Sequence, residues 1–181
     1  ECKAGDLLLL DVGAEYANYS SDMTRTIPVS GRFTERQKAV YNAVLRVKNE
    51  ATKILVPGTL WKQYHIEVGK VMTAELLALG LIDKADVQNE NPDWPAYKKY
   101  FMHGTSHHLG IDVHDLSNRY DPFRAGMVFT CEPGIYIPNE GLGIRLENDI
   151  LITDHGPKDL FSAVPIELEE IEEMMHAGIF A

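Results

Sequence analysis

The chain is predicted to fold as an α+β domain. Two observations predict it: apolar segments that read as antiparallel hairpins lie near each end, and two stretches of helical periodicity are grouped between them. The order expected along the chain is hairpin, two helices, polar connection, histidine-rich stretch, second hairpin and final helix. Helices gathered between antiparallel strands favour α+β over a doubly wound parallel sheet.

In the first hairpin, Asp11 closes the apolar run Leu7-Leu8-Leu9-Leu10, and Asp22 opens the return strand Asp22-Met23-Thr24-Arg25-Thr26. A turn centred on Tyr16-Ala17 would set the two aspartates directly opposite each other on one sheet face. The first helix begins at Thr34, where Thr34-Glu35-Arg36-Gln37 fits a capping box. Val40, Val44, Val47, Ala51 and Leu55 then recur at helical spacing until Pro57-Gly58 ends the run. A second helix spans about Leu60 to Leu79, with Val68, Val71, Met72, Leu76 and Leu79 as its core stripe and Gly80 as its C-terminal cap.

Residues Asp83 to Pro95 are polar, carry two prolines and read as a surface loop, in which Trp94 and Tyr97 either line a cleft or pin the loop. In the second hairpin a turn centred on Asn139-Glu140 places Glu132 opposite Glu147. Residues Glu167 to Met175 form an acidic amphipathic helix whose glutamates read as a solvated face. The recurrence of a hairpin with opposed acids is a faint internal echo, compatible with two related halves.

These acid pairs are the chemically informative feature. Like charges directly opposite across a ladder destabilise it, and two carboxylates sharing a site cannot both ionise cheaply. Two such pairs and a histidine, His107, imply a missing positive partner, most simply metal ions. Four carboxylates and one imidazole suit Mn²⁺, Co²⁺ or Zn²⁺. Four acids exceed what one catalytic zinc takes but fit two ions roughly 3.5–4 Å apart with shared carboxylates.

Histidine is concentrated nearby: His103, His107, His108 and His114 fall within a stretch that also holds Gly104 and Gly110. One imidazole can ligate while others stabilise an oxyanion or move protons. Arg145 precedes Glu147 by two residues, on the same strand face, and either holds that acid or forms an ordinary salt bridge.

A formal net charge of −10 argues against nucleic acid as a partner, since phosphate binding needs clustered Lys and Arg. No apolar run reaches about 18 residues, so no membrane span is expected. Cys2 and Cys131 form no metal-binding spacing or disulfide framework. Cys131 reads as a small buried thiol, and a reducing cytoplasm is the expected location. Because Glu1 is followed almost at once by a strand, the chain reads as a piece of a longer protein.

Five ordered strings carry a resemblance that spans about Asp6 to Glu173. They are Leu-Asp-Val-Gly-Ala, Ser-Asp-Met-Thr-Arg-Thr, His-Gly-Thr-Ser-His-His-Leu-Gly-Ile-Asp-Val-His-Asp, Gly-Met-Val-Phe-Thr-Cys-Glu-Pro-Gly-Ile-Tyr and Gly-Ile-Arg-Leu-Glu-Asn-Asp. Together they resemble the catalytic domain of Xaa-Pro aminopeptidases (aminopeptidase P). Prolidases share most of the pattern, and methionine aminopeptidases share the ligand scheme more distantly. The resemblance implies the pita-bread fold, a curved antiparallel sheet with helices on its outer face around two metals, commonly manganese.

It also implies roles. Asp11 would bind one ion, Asp22 and Glu147 both, and His107 and Glu132 the other. Glu132 would handle the proton of the attacking water, His103 would contact substrate near the scissile bond, and His114 would help stabilise the tetrahedral intermediate. Arg145 matches the arginine beside the last ligand, and His108 receives no catalytic role.

The implied substrate is a peptide with proline at its second position, and the full-length protein is expected to be a homo-oligomer. Residues 1–181 then form a partial catalytic domain, lacking its first helix and strand and a separate N-terminal domain. A prolidase and a non-catalytic interaction module of the same fold are the alternatives.

Overall fold

The structure, a computed structural model, describes residues 1–177. Strand β1 (Leu7–Val12) pairs antiparallel with β4 (Met23–Pro28), and the tip of this hairpin is the short pair β2 (Glu15–Tyr16) and β3 (Tyr19–Ser20). The register sets Asp11 opposite Thr24, not opposite Asp22. The reason is the turn. Ala17 and Asn18 both adopt left-handed φ, 51° and 70°, as a type I′ hairpin turn requires. The turn therefore centres one residue later than the sequence suggested. That shift moves the register by two, so every side chain keeps its face. Asp11 and Asp22 stay on one side, but the register continued past Val12 makes them diagonal neighbours.

The second hairpin comprises β5 (Val128–Cys131), β6 (Gly134–Ile137), β7 (Leu142–Arg145) and β8 (Asn148–Thr153), and β9 (Gly156–Asp159) extends it beyond β8. β6 pairs with β7 and β5 with β8 in one continuous register, Gly134 with Arg145 and Cys131 with Asn148. Carried across the gap between the two ladders, it sets Glu132 opposite Glu147, as the Asn139-Glu140 turn requires. The gap has a simple cause: Pro133 has no N–H to give the ladder. All these pairings are antiparallel.

β4 joins the hairpins to each other. The Thr26 hydroxyl donates to the Arg145 carbonyl at 3.0 Å and accepts from its N–H at 3.2 Å, and the Glu147 N–H reaches the Thr24 carbonyl at 3.1 Å. Buried Arg25 donates to the carbonyls of Thr24 and Glu147 and to those of Val164 and Pro165. One guanidinium thus ties both hairpins to the segment leading into the last helix.

Helix α1 (Glu35–Ile54) starts at its expected capping box, with Thr34 and Gln37 satisfying each other's backbone N–H groups. Thr34→Ala is expected to cost about 1 kcal/mol in chemical denaturation. Helix α2 is Trp61–Ala78, and Gly80 follows it at φ +69°. Val40, Val44, Val47, Ala51 and Leu55 are buried, as are Val68, Met72 and Leu76, while Val71 and Leu79 are partly covered. α1 packs on α2 and on β5, β6, β7 and β9, so the core lies between the helix pair and the second hairpin. Cys131 is buried there, and burial pushes its thiol up to about 11.

The predicted surface loop contains a short helix, α3 (Lys84–Gln88). Asp83 and Asp86 form a reciprocal capping box that closes this turn. Trp94 is exposed and lines a small cavity with Ile82, and Tyr97 is half-buried. Helix α4 (Leu168–Ala177) exposes Glu169, Glu170 and Glu173, but Glu172 accepts the Phe33 N–H at 2.9 Å. No helix among the described residues is long and apolar enough to cross a membrane.

Candidate metal centre

Where β4 meets the gap in the second hairpin, Asp22, His107 and Glu147 bring one donor atom each within 4.8 Å of one another. Glu132 joins them, because His107 Nε2 lies 3.5 Å from both Asp22 Oδ2 and Glu132 Oε1. Asp11 is placed at the rim, its carboxylate paired with Arg145 and 57% exposed.

The tautomer of His107 follows from its second nitrogen. Nδ1 lies 3.1 Å from the His108 carbonyl, which can only accept, so Nδ1 carries the proton. In the neutral ring Nε2 is then a bare lone pair facing two carboxylate oxygens. Lone pairs so arranged repel unless a cation lies among them, and a second nitrogen held by a carbonyl is how ligating histidines are oriented. The donor set therefore fits a divalent metal.

Each of the two glutamates is held by a buried threonine. Thr24 donates to Glu147 Oε2 at 2.6 Å and accepts from Arg145 Nε at 3.0 Å. Thr130 donates to Glu132 Oε1 at 3.1 Å and accepts the His107 N–H at 3.0 Å. Burial pushes Glu147 up to about 8 and Glu132 up to about 7. The same desolvation, with the neighbouring Asp11 charge, raises Asp22. Without a cation these groups cannot all ionise, the electrostatic conflict the sequence implied. Thr24→Val keeps the shape and removes the hydroxyl, and is expected to weaken Mn²⁺ binding roughly 10–100-fold in calorimetric titration.

The remaining histidines divide by environment. His103 Nδ1 donates to the Gly104 carbonyl at 2.7 Å, so its Nε2 accepts from the Tyr136 hydroxyl at 2.8 Å. Burial lowers its pKa and keeps the ring neutral, while burial raises the Tyr136 phenol and keeps its proton available. The exposed His114 ring stands edge-on to His107, centroids 4.3 Å apart. His108 packs its ring on Phe129, centroids 4.9 Å apart. Thr24, Thr130 and Tyr136 escaped the sequence reading. Each lies two or four residues from a candidate ligand, so strand alternation was the signal that could have found them.

Hairpins joined around a carboxylate–imidazole cluster define a metal-binding α+β domain. The comparisons with known proteins give that class a family: the chain belongs to metallopeptidase family M24, whose profile matches residues 1–154. It is 41% identical over 95% of its length to an Xaa-Pro aminopeptidase of Haemophilus influenzae, covering 42% of that protein. Among solved structures, proline aminopeptidase P II from Yersinia pestis superposes with a TM-score of 0.89 at 40% identity, over 98% of this chain and 43% of that one. Zinc-substituted Escherichia coli aminopeptidase P in complex with product matches with a TM-score of 0.87 at 39% identity, over 98% of this chain and 42% of that one. The chain thus spans about two-fifths of the length of these relatives, and it shares their pita-bread fold.

Proposed function

We propose that this chain supplies the metal-binding part of the catalytic domain of an Xaa-Pro aminopeptidase, which hydrolyses the bond between an N-terminal residue and a following proline. The observation that carries the reading is the convergence of donor atoms from Asp22, His107 and Glu147 within 4.8 Å, with His107 Nε2 3.5 Å from both Asp22 and Glu132. Relatives named as Xaa-Pro aminopeptidases supply the substrate class.

The residues that would hold two divalent ions are Asp11, Asp22, His107, Glu132 and Glu147, with Asp22 and Glu147 shared between them. Manganese suits this mostly oxygen donor set, with cobalt or zinc as substitutes. When bound, such ions lower the pKa of a shared water and polarise the carbonyl under attack.

The chain's own groups do the rest. Glu132, in its largely desolvated position, accepts the proton of the water and delivers it to the departing proline nitrogen. His103 is fixed through Gly104 and Tyr136 as a neutral ring beside the centre, suited to contact substrate near the scissile bond. His114, exposed at the mouth, can donate a hydrogen bond to the oxyanion. Arg145 holds Asp11 directly and Glu147 through Thr24.

Hydrolysis of Xaa-Pro-Yaa tripeptides by the full-length protein, compared with Xaa-Pro dipeptides, tests the assignment. Preference for dipeptides would make it a prolidase, and no hydrolysis of either by metal-loaded protein would leave the interaction module. Light scattering of the full-length protein tests the proposed homo-oligomer.

A further inference from the structure

Asp149 is a buried carboxylate that neither the ligand set nor the proposed chemistry uses. It lies in β8 opposite Thr130 and is 2% exposed. Its Oδ2 accepts the backbone N–H of Asp22 at 3.1 Å, and its Oδ1 has no hydrogen-bond partner among the described residues. No Lys, Arg or His forms an ion pair with it among those residues, and the charged groups that bear on it are Asp22 and Asp159, both acidic. A buried carboxyl of this kind costs stability, so its single contact is where its contribution lies.

That contact falls at a break in the first hairpin. The β1–β4 ladder ends at the pair Val12 and Met23, and pairing resumes only at Glu15 with Ser20. Between them the Ser21 N–H reaches the Ala14 carbonyl and the Ala14 N–H reaches the Ser21 hydroxyl. Asp22 falls opposite Gly13, at a non-hydrogen-bonded position of the register, so its N–H faces away from β1 and goes to Asp149 across 127 positions of chain. The acid also stands two residues after Glu147, on the same strand face, and faces the threonine that fixes Glu132 and His107.

We infer that Asp149 is a positioning residue of the metal centre: its carboxyl oxygen receives the Asp22 N–H that faces away from β1 and fixes Asp22 where the strand begins. Asp149 acts on the metal through Asp22 and the Asp22 backbone, and is not itself a ligand. An acceptor oxygen is what the role requires, so an amide should serve as well as a carboxylate. The inference rests on the reading of Asp22, His107, Glu132 and Glu147 as metal ligands.

The test titrates metal-free full-length protein with Mn²⁺ alone by calorimetry, in the wild type, D149N and D149L. Hydrogen–deuterium exchange of the segment holding Asp22 is followed without metal. D149N should bind within about threefold of wild type and keep the Asp22 amide protected, because the amide oxygen still accepts. D149L should bind at least about tenfold more weakly, with faster exchange at Asp22. Should D149L fail to fold by circular dichroism, D149S, whose hydroxyl is too short to hold the contact, takes its place with the same expectation.

Unchanged affinity and exchange in D149L or D149S would overturn the positioning role. So would a folded D149N as weak as D149L, because charge and not the acceptor would then matter. Wild-type protein that takes up no Mn²⁺ would sink the metal centre and this inference together, whereas a binding wild type with an indifferent D149L sinks only the latter.

Discussion

Glu132→Gln is expected to leave the fold and its thermal transition in place and to reduce kcat by at least about 10²–10⁴-fold, the range assigned to a positioned general acid–base group. The substitution is nearly isosteric. Gln can still accept from the Thr130 hydroxyl, which now donates to Glu132 Oε1 at 3.1 Å. What it cannot do is take a proton from water and release it to the leaving nitrogen. With burial holding Glu132 near 7 in the metal-free site, the folded protein already accommodates an uncharged group there, so little stability should be lost. Steady-state kinetics with a fluorogenic Xaa-Pro peptide, with metal content measured on the same samples, checks the outcome. A metal-replete, folded variant with wild-type turnover would remove Glu132 from proton transfer.

The metal-free protein is also expected to lose stability as pH rises, the reverse of the usual acid denaturation. Glu147 and Glu132 have ordinary values of 4.5 and sit near 8 and 7 in the fold, raised first of all by burial. Asp149 is likewise raised, from 3.8 to about 7. Between those limits the unfolded chain has released protons that the folded chain retains, so the stability slope with pH is negative. The contribution is fully present below about pH 4 and is lost as pH passes 7 to 8. Each 1 kcal/mol lost lowers Tm by about 2–4 °C in a chain of this size. Saturating Mn²⁺ should reverse the trend, raising Tm more at pH 8 than at pH 5, because binding requires the deprotonated carboxylates. Differential scanning fluorimetry across pH with EDTA or Mn²⁺ reads both slopes; a metal-free Tm that climbs from pH 5 to 8 would contradict the assignment.

Much of this was legible in the residues because it is carried by period and by local chemistry. The capping box at Thr34, the stripe from Val40 to Leu55 and the glycine after α2 depend on neighbours three or four positions away, and the structure has them where the sequence placed them. The pairing of Glu132 with Glu147 was legible because the Asn139-Glu140 turn fixes a single register along two ladders. The first hairpin was misjudged by one residue, because Ala17-Asn18 lacks the glycine that usually marks a type I′ turn.

What stayed hidden was long-range. No local pattern says that the Thr24 hydroxyl points at Glu147 or that the Asp22 N–H is received by Asp149. Alternation along the strands narrows the candidates to residues two or four positions from a candidate ligand, but only tertiary packing chooses among them.

The guanidinium of Arg25 has a kinetic consequence. It gathers carbonyls from Thr24, Glu147, Val164 and Pro165, so the acids meet in a place defined by closing almost the whole chain on itself. Contacts of such sequence separation are costly in loop entropy and tend to slow folding. The helices α1 and α2, made of local contacts, can form well before it. Competence to take up metal should therefore emerge with the slowest refolding phase, so that bound ion reports completion of the fold from one end to the other.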